Sequence, residues 1–200
     1  MDPKETAVVL IEFQNEFCSP DGALYGAVKE VLERNNTIPN TVDLVEKARA
    51  KGVQIVYVPI SFTEDYHELM DEPYGILKAV KDGKTFRKGT KAVEIIEELT
   101  PQPGDLVVEG KRGLCGFATT NLDFILRQRG IRNVALAGFL TNVCVESTMR
   151  TAYEKGYNVI TLTDCTAATS WEIQEFTVKT NYPVYSRPMT HDEFLAELEG

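Results

Sequence analysis

The chain has 200 residues, 21 of them basic and 30 acidic for a formal charge of −9, and 43% are hydrophobic; this is the balance of one globular domain able to bury a core without disulfide or metal support. A pI near 4.8 sets net repulsion against phosphate backbones and anionic lipid, so neither nucleic acid nor a membrane is an expected partner. Apolar runs such as Val134 to Leu140 fall far short of the roughly 18 residues of a membrane span, and the start Met1-Asp2-Pro3-Lys4-Glu5-Thr6 lacks the form of a signal peptide, which gives a cytoplasmic expectation.

The first predicted element is a strand over Ala7–Ile11, followed by Glu12-Phe13-Gln14-Asn15-Glu16-Phe17. Asn40 is placed to cap a helix whose Val42, Val45 and Ala48 share a face and which Gly52 ends, and a strand over Val53–Val58 comes next. A long insertion, Ser61 to Arg87, holds His67, Tyr66, Tyr74 and Phe86 and is expected to form a lid. A third strand, Leu106–Val108, leads into Gly110-Lys111-Arg112-Gly113. Thr120 with Asp123 then caps a helix bearing Leu122, Ile125 and Leu126, ended by Gly130. The fourth strand, Val134–Leu136, runs through Gly138-Phe139-Leu140-Thr141-Asn142-Val143-Cys144 into a helix carrying Val145, Thr148, Met149 and Ala152. Val159–Leu162 and Val184–Tyr185 read as the fifth and sixth strands, and Thr190-x-x-Glu193 is a capping box for a last helix with Phe194, Leu195 and Leu198.

Strands apolar on both faces and joined by helices call for a parallel sheet covered on each side. The expected fold is α/β, a three-layer αβα doubly wound sheet of about six mainly parallel strands, in a single domain over 1–200. Ligands in such sheets bind outside the carboxyl ends of the strands. Glu12, Lys111 and Cys144 follow the first, third and fourth strands, which brings a carboxylate, an ammonium and a thiol to one edge.

A cysteine at a helix N-terminus meets unpaired N–H groups and the positive end of the dipole, which favour thiolate and can cradle an oxyanion. Glu12 is positioned to take the thiol proton, with Lys111 holding the carboxylate ionised and aligned. Cys18, Cys115, Cys144 and Cys165 stand 97, 29 and 21 residues apart without a Cys-x-x-Cys pair, the pattern of reduced thiols rather than of a disulfide framework or zinc site. Gly110-x-x-Gly113-x-x-Gly116 is neither a dinucleotide fingerprint nor a P-loop, and reads as glycines that let backbone pass close beneath a substrate.

These motifs resemble those of the isochorismatase-like cysteine hydrolases. Val8 to Phe17 is similar to the family's first-strand motif, Lys111 with Cys115-Gly116-Phe117 to its lysine motif, Gly138 to Thr148 to its nucleophile motif, and Asp164-Cys165-Thr166-Ala167-Ala168 to the element after the fifth strand. The resemblance implies a triad of Glu12, Lys111 and Cys144, an oxyanion hole from the N–H groups of Leu140 and Cys144, and a cis peptide between Phe139 and Leu140. Phe17 and Phe117 are expected to wall the pocket, with Gln14 or Asn15 offering a polar contact. Glu16, four positions beyond Glu12, is expected at the surface. The family usually has aspartate where this chain has Glu12; the added methylene is about 1.5 Å, and a shift of about 1 Å can cost roughly 100-fold in rate.

The resemblance implies hydrolysis of an amide or carbamoyl C–N bond of a small polar molecule through a Cys144 thioester, with vinyl-ether hydrolysis releasing pyruvate as one alternative. A catalytically silent binding protein, marked by Glu12, is the other. Family members are commonly oligomers, so a homo-oligomer is expected. No cofactor is expected and no metal. Some relatives hold a metal through Asp-x-His and a later histidine, but after Asp65-Tyr66-His67 no histidine follows until His191.

Overall fold

The computed structural model describes residues 1–198; the last two residues of the expected 1–200 domain lie outside it. Six strands form one sheet: β1 Thr6–Ile11, β2 Gln54–Val58, β3 Leu106–Val107, β4 Asn133–Phe139, β5 Asn158–Ala167 and β6 Arg187–Met189. Their order is β3-β2-β1-β4-β5-β6 and every neighbouring pair is parallel. The order reverses between β1 and β4, the place where a doubly wound sheet opens a crevice at its carboxyl edge.

The helices are α1 Asn15–Cys18, α2 Tyr25–Arg34, α3 Thr37–Ala50, α4 Gly75–Gly83, α5 Leu122–Gln128, α6 Glu146–Glu154, α7 Trp171–Phe176, α8 Tyr182–Tyr185 and α9 His191–Glu197. Alternation along β1 assigns them to layers. Val8 and Leu10 pack in a core with Val28 and Val31 of α2, Leu44 and Ala48 of α3, and Phe194 of α9. Val9 and Ile11 point the other way, into a core with Leu122 and Leu126 of α5, Met149 and Ala152 of α6, and Tyr182 of α8. Burial on both faces is what made the strands read as continuous apolar runs.

Two local expectations are corrected. Val184–Tyr185 belongs to helix α8, and the sixth strand begins two residues later. Pro183 closely follows the π-helical stretch Thr177–Asn181, which runs on from α7, and Tyr182 is fully buried with its hydroxyl donating to the Thr141 carbonyl at 2.9 Å. Pro188 is tolerated in β6 because that strand is a sheet edge. Helix α3 starts at Thr37, ahead of Asn40. Pro39 fits its first turn, and the Asn40 amide instead donates to the carbonyls of Asn35 and Asp164. The Thr190 and Glu193 capping box forms as expected.

Candidate active site

Three chain segments meet at the crevice. After Ile11 the backbone turns sharply at Glu12, whose φ of 58° is left-handed, a conformation that costs a non-glycine residue on the order of 1 kcal/mol or more and is held here by tertiary contacts. The Glu12 N–H still donates to the Val58 carbonyl of β2, at 3.2 Å. Beside it, Gly138 has φ 126° and lies so close to β1 that a Cβ would fall 1.9 Å from the Ile11 carbonyl oxygen. Only glycine allows β4 to run that near. The following Phe139–Leu140 peptide is cis.

From Leu140 the chain enters a single π-helical turn, Thr141–Val145, before α6. Such turns interrupt α-helices where a side chain must be re-aimed. The Leu140 carbonyl accepts from both Val143 and Val145. The Thr148 hydroxyl fastens the turn to the lysine loop: it donates to the Cys144 carbonyl at 2.7 Å and accepts the Gly116 N–H at 2.8 Å.

Glu12, Lys111 and Cys144 come together. The Lys111 ammonium lies 2.6 Å from Glu12 Oε1 and donates equally closely, at 2.6 Å, to the Gly113 carbonyl. All three residues are buried, at 2%, 0% and 5% exposure respectively, so the pair interacts away from bulk screening. The longer side chain of Glu12 does not break this contact. Burial works against the Lys111 charge, yet the Glu12 carboxylate beside it, which also accepts its hydrogen bond, leads the opposing effects that hold the ammonium above its ordinary range.

For Cys144 the balance goes the other way. Burial first, then the Glu12 carboxylate that accepts its hydrogen bond, push the thiol well above its ordinary range; Lys111 and the Leu140 N–H pull it down only in part. The resting group is therefore a thiol donating to Glu12, a correction to the thiolate expected from the helix dipole. The dipole acts weakly against a dry site with a carboxylate at contact distance.

Glu12, Cys144 and Leu140 open onto a cavity of about 130 Å³. Phe17 lines it as expected, and the insertion covers it with Leu77 and Val80 of α4 and with Phe86. Tyr74 points to solvent, whereas Tyr66 is buried and donates to the Thr85 carbonyl at 2.6 Å. Three further expectations are not met by the geometry. The Gln14 amide is fully buried between loops, accepting the Ile60 N–H at 2.9 Å and donating to the carbonyls of Ile60 and Val93. Asn15 donates to the carbonyls of Lys91 and Glu94, so neither amide reaches the cavity. Phe117 stacks on Tyr157 at 6.0 Å in the core beneath α5 and α6, and Leu114 lines the cavity in its place. Gly110, with φ 92°, lets backbone pass close to the Thr119 carbonyl rather than beneath the cavity.

Glu16 is a further correction. It is buried at 3% exposure, and its two carboxylate oxygens accept the N–H groups of Ala23 and Phe86, each at 2.9 Å. It thereby joins the start of α2 to the end of the insertion, two segments that both wall the cavity. Sequence reasoning missed it because nothing in a short loop marks a carboxylate as buried. The walls from Leu24 and Ala27, beside and within α2, carried no signal either.

Isochorismatase domains match residues 6–193 of the chain. The chain belongs to the isochorismatase family. It is 37% identical over 177 residues to a ureidoacrylate amidohydrolase, RutB, of Agrobacterium fabrum (strain C58), covering 83% of this chain and 77% of the relative. Its structure is similar to that of a cysteine hydrolase from Pseudomonas syringae pv. phaseolicola 1448A, with a TM-score of 0.85, 28% identity and coverage of 98% and 93% of the two chains. It is also similar to N-carbamoylsarcosine amidase from Thermoplasma acidophilum, with a TM-score of 0.75, 29% identity and coverage of 98% and 99%.

Ligand atoms able to hold a cation converge elsewhere in this isochorismatase-family fold. Asp164, Cys165 and His191 bring theirs within 4.8 Å of one another. There His191 Nδ1 lies 2.6 Å from Asp164, whose other oxygen accepts the His191 N–H, so the pair ties α9 to β5. None of these residues lines the cavity, and His67 is exposed and paired with Asp65. Among the described residues no helix is long and apolar enough to cross a membrane.

Proposed function

We propose that the protein hydrolyses an amide or carbamoyl C–N bond of a small molecule, with Cys144 as nucleophile, Glu12 as base and then acid, and Lys111 holding Glu12 in place. The carrying observation is the burial of the three groups together, with the Lys111 ammonium 2.6 Å from Glu12 and the Cys144 thiol facing the same carboxylate. Amidohydrolase and amidase activities named for the relatives support the same reaction class.

As the sulfur attacks the carbonyl carbon, the thiol proton moves to Glu12, an S–C bond forms and the carbonyl π pair moves onto oxygen. The Leu140 N–H, which the resting sulfur accepts, and that of Cys144 are the donors for this oxyanion. Collapse breaks the C–N bond, and Glu12 returns its proton to the leaving nitrogen. Water then adds to the thioester, giving one proton to Glu12, and collapse of the second intermediate expels Cys144, which takes that proton back. The acid, or a carbamic acid, is released. Vinyl-ether hydrolysis leaves the Cys144 to Glu12 contact without a role, and a silent binding protein leaves all three groups without one. The working form is read as a cytoplasmic homo-oligomer acting without a cofactor. Apolar surface left at Tyr153 and Val184, 53% and 61% exposed, supports the oligomer, which light scattering tests.

The decisive experiment quenches turnover of a primary amide or monosubstituted urea in acid and looks by mass spectrometry for an acyl group on the Cys144 peptide. An adduct is expected, and Cys144→Ser should release ammonia slower by about 10⁴-fold or more. Undiminished hydrolysis by Cys144→Ser would overturn the reading.

A further inference from the structure

Away from Glu12 and Cys144, the cavity has an unusual lining for a site expected to take a polar metabolite. Among the described residues no lysine, arginine or histidine lines it, and beyond those two groups the only polar side chains are Thr85 and Thr169. Thr169 is exposed at the edge, while the Thr85 hydroxyl reaches toward the Val80 carbonyl at 3.5 Å. The remaining wall is Phe17, Leu24, Ile76, Leu77, Val80 and Phe86, with a few small or aliphatic neighbours. Lys111, the cation that touches Glu12, is fully buried, bound to Glu12 and to the Gly113 carbonyl, and does not line the cavity.

A substrate carboxylate held against the apolar part of this wall would lose its water, meet no cationic side chain, and lie in the field of Glu12. Leaving one charge buried and unpaired is strongly unfavourable. An alkyl or aryl group gains instead from contact with Phe17, Leu77 and Phe86. We infer that the substrate is an uncharged amide or monosubstituted urea whose non-reacting part is apolar, held between the β1 and β4 strand ends and the α4 cover, and that Leu77 on α4 helps set this preference. The inference rests on the amidase reading only for the identity of the polar head; the choice of an apolar tail follows from the walls.

Two isosteric pairs test it by ammonia release: 4-methylpentanamide against succinamate, and (3-methylbutyl)urea against 3-ureidopropanoate. Within each pair an isopropyl group replaces a carboxylate. The neutral member is expected to have the higher kcat/KM by about 100-fold or more, the order for one buried unpaired charge. A parallel binding test does not require turnover. 4-Methylpentanal and succinic semialdehyde, again an isopropyl group in place of a carboxylate, are compared for protection of Cys144 against alkylation; thiol addition to the aldehyde forms an S–C bond and leaves the thiol proton on the new hydroxyl.

The apolar aldehyde should protect at concentrations lower by a similar factor. Leu77→Arg should shift both preferences toward the anionic members, whereas Leu77→Met should not. Equal or better handling of the anions, or no protection by either aldehyde, would overturn the inference. Apolar protection without ammonia release from any amide or urea would instead overturn the amidase reading and leave the apolar pocket standing.

Discussion

Glu12 and Glu16 are separated by four positions, and both are buried, yet they are satisfied by opposite means. Glu12 meets two titratable side chains, the Lys111 ammonium at 2.6 Å and the Cys144 thiol. Glu16 takes its hydrogen bonds from main chain, the N–H groups of Ala23 and Phe86. A carboxylate whose neighbours can exchange protons is equipped for chemistry; one whose neighbours are peptide N–H groups can only hold segments together. Burial alone therefore does not identify a catalytic acid or base, and the titratable character of what surrounds it does.

Activity should separate the two most widely. Glu12→Gln removes the proton acceptor and is expected to lower kcat by about 10³-fold, within the range for loss of a general base. Glu16→Ala leaves the reacting atoms in place and loosens the joint between α2 and the cover, so it should raise KM with kcat changed by less than about 10-fold. Steady-state kinetics on the better neutral substrate distinguish these outcomes. A Glu16→Ala variant as dead as Glu12→Gln would erase the contrast.

Stability should separate them by whether the damage can be repaired. Glu12→Gln leaves the Lys111 ammonium buried without its counter-ion and should cost about 3 kcal/mol. Adding Lys111→Met removes the stranded charge, so the double variant should recover most of that loss while staying inactive. Glu16→Ala leaves two N–H groups without acceptors and should cost about 2 kcal/mol. No single side-chain change can restore it, because those donors belong to the backbone. Urea midpoints of the three variants and the parent measure the pattern.

The same logic explains what the sequence made visible. A parallel sheet covered on both faces requires near-continuous apolar runs, so β1, β2, β4 and β5 were plain, as was the crevice they define. Glu12, Lys111 and Cys144 stood out because each follows a strand, where a charge or thiol has few structural uses. Val184–Tyr185 misled because an apolar, β-favouring pair also suits a short buried helical turn, and Tyr182 decides the matter only through its distant contact with Thr141. Gln14, Asn15 and Phe117 lie away from the cavity lining for a related reason. A loop side chain beside a catalytic group can face the substrate or brace the loop, and only tertiary structure selects. Leu24, Leu77 and Val80 were out of reach because α2 and α4 are apolar for packing whether or not a cavity lies beneath them.

Between the activity and stability effects lies the Cys144 thiol itself. Its proton is held by burial and by Glu12, and released in part by Lys111. Alkylation by iodoacetamide should therefore rise with pH beyond the ordinary thiol range of about 8.5. The profile should move to lower pH in Glu12→Gln, where the opposing charge is gone, and to higher pH in Lys111→Met. Mass spectrometry of the Cys144 peptide follows each profile. Movement in the reverse sense would show that Glu12 does not face the sulfur.

The smallest effect concerns a thiol with no such neighbour pair. Cys165 is fully buried, and burial, reinforced by Asp164, raises it well above the ordinary value. Below the unfolded thiol value, about 8.5, it is neutral in both states and its ionisation adds no slope. Above that value the unfolded chain loses the proton while the folded chain keeps it, so stability falls as pH rises. Cys18 and Cys144, also raised, steepen the same decline. Cys165→Ala should lower stability at neutral pH by opening a small cavity, yet reduce the further loss between about pH 8 and about pH 10 by about 2 kcal/mol. Urea midpoints taken under reducing conditions at both pH values measure that difference in slope. An unchanged slope would mean that Cys165 ionises as readily in the fold as in the unfolded chain, and that burial beside Asp164 does not hold its proton as burial beside Glu12 holds that of Cys144.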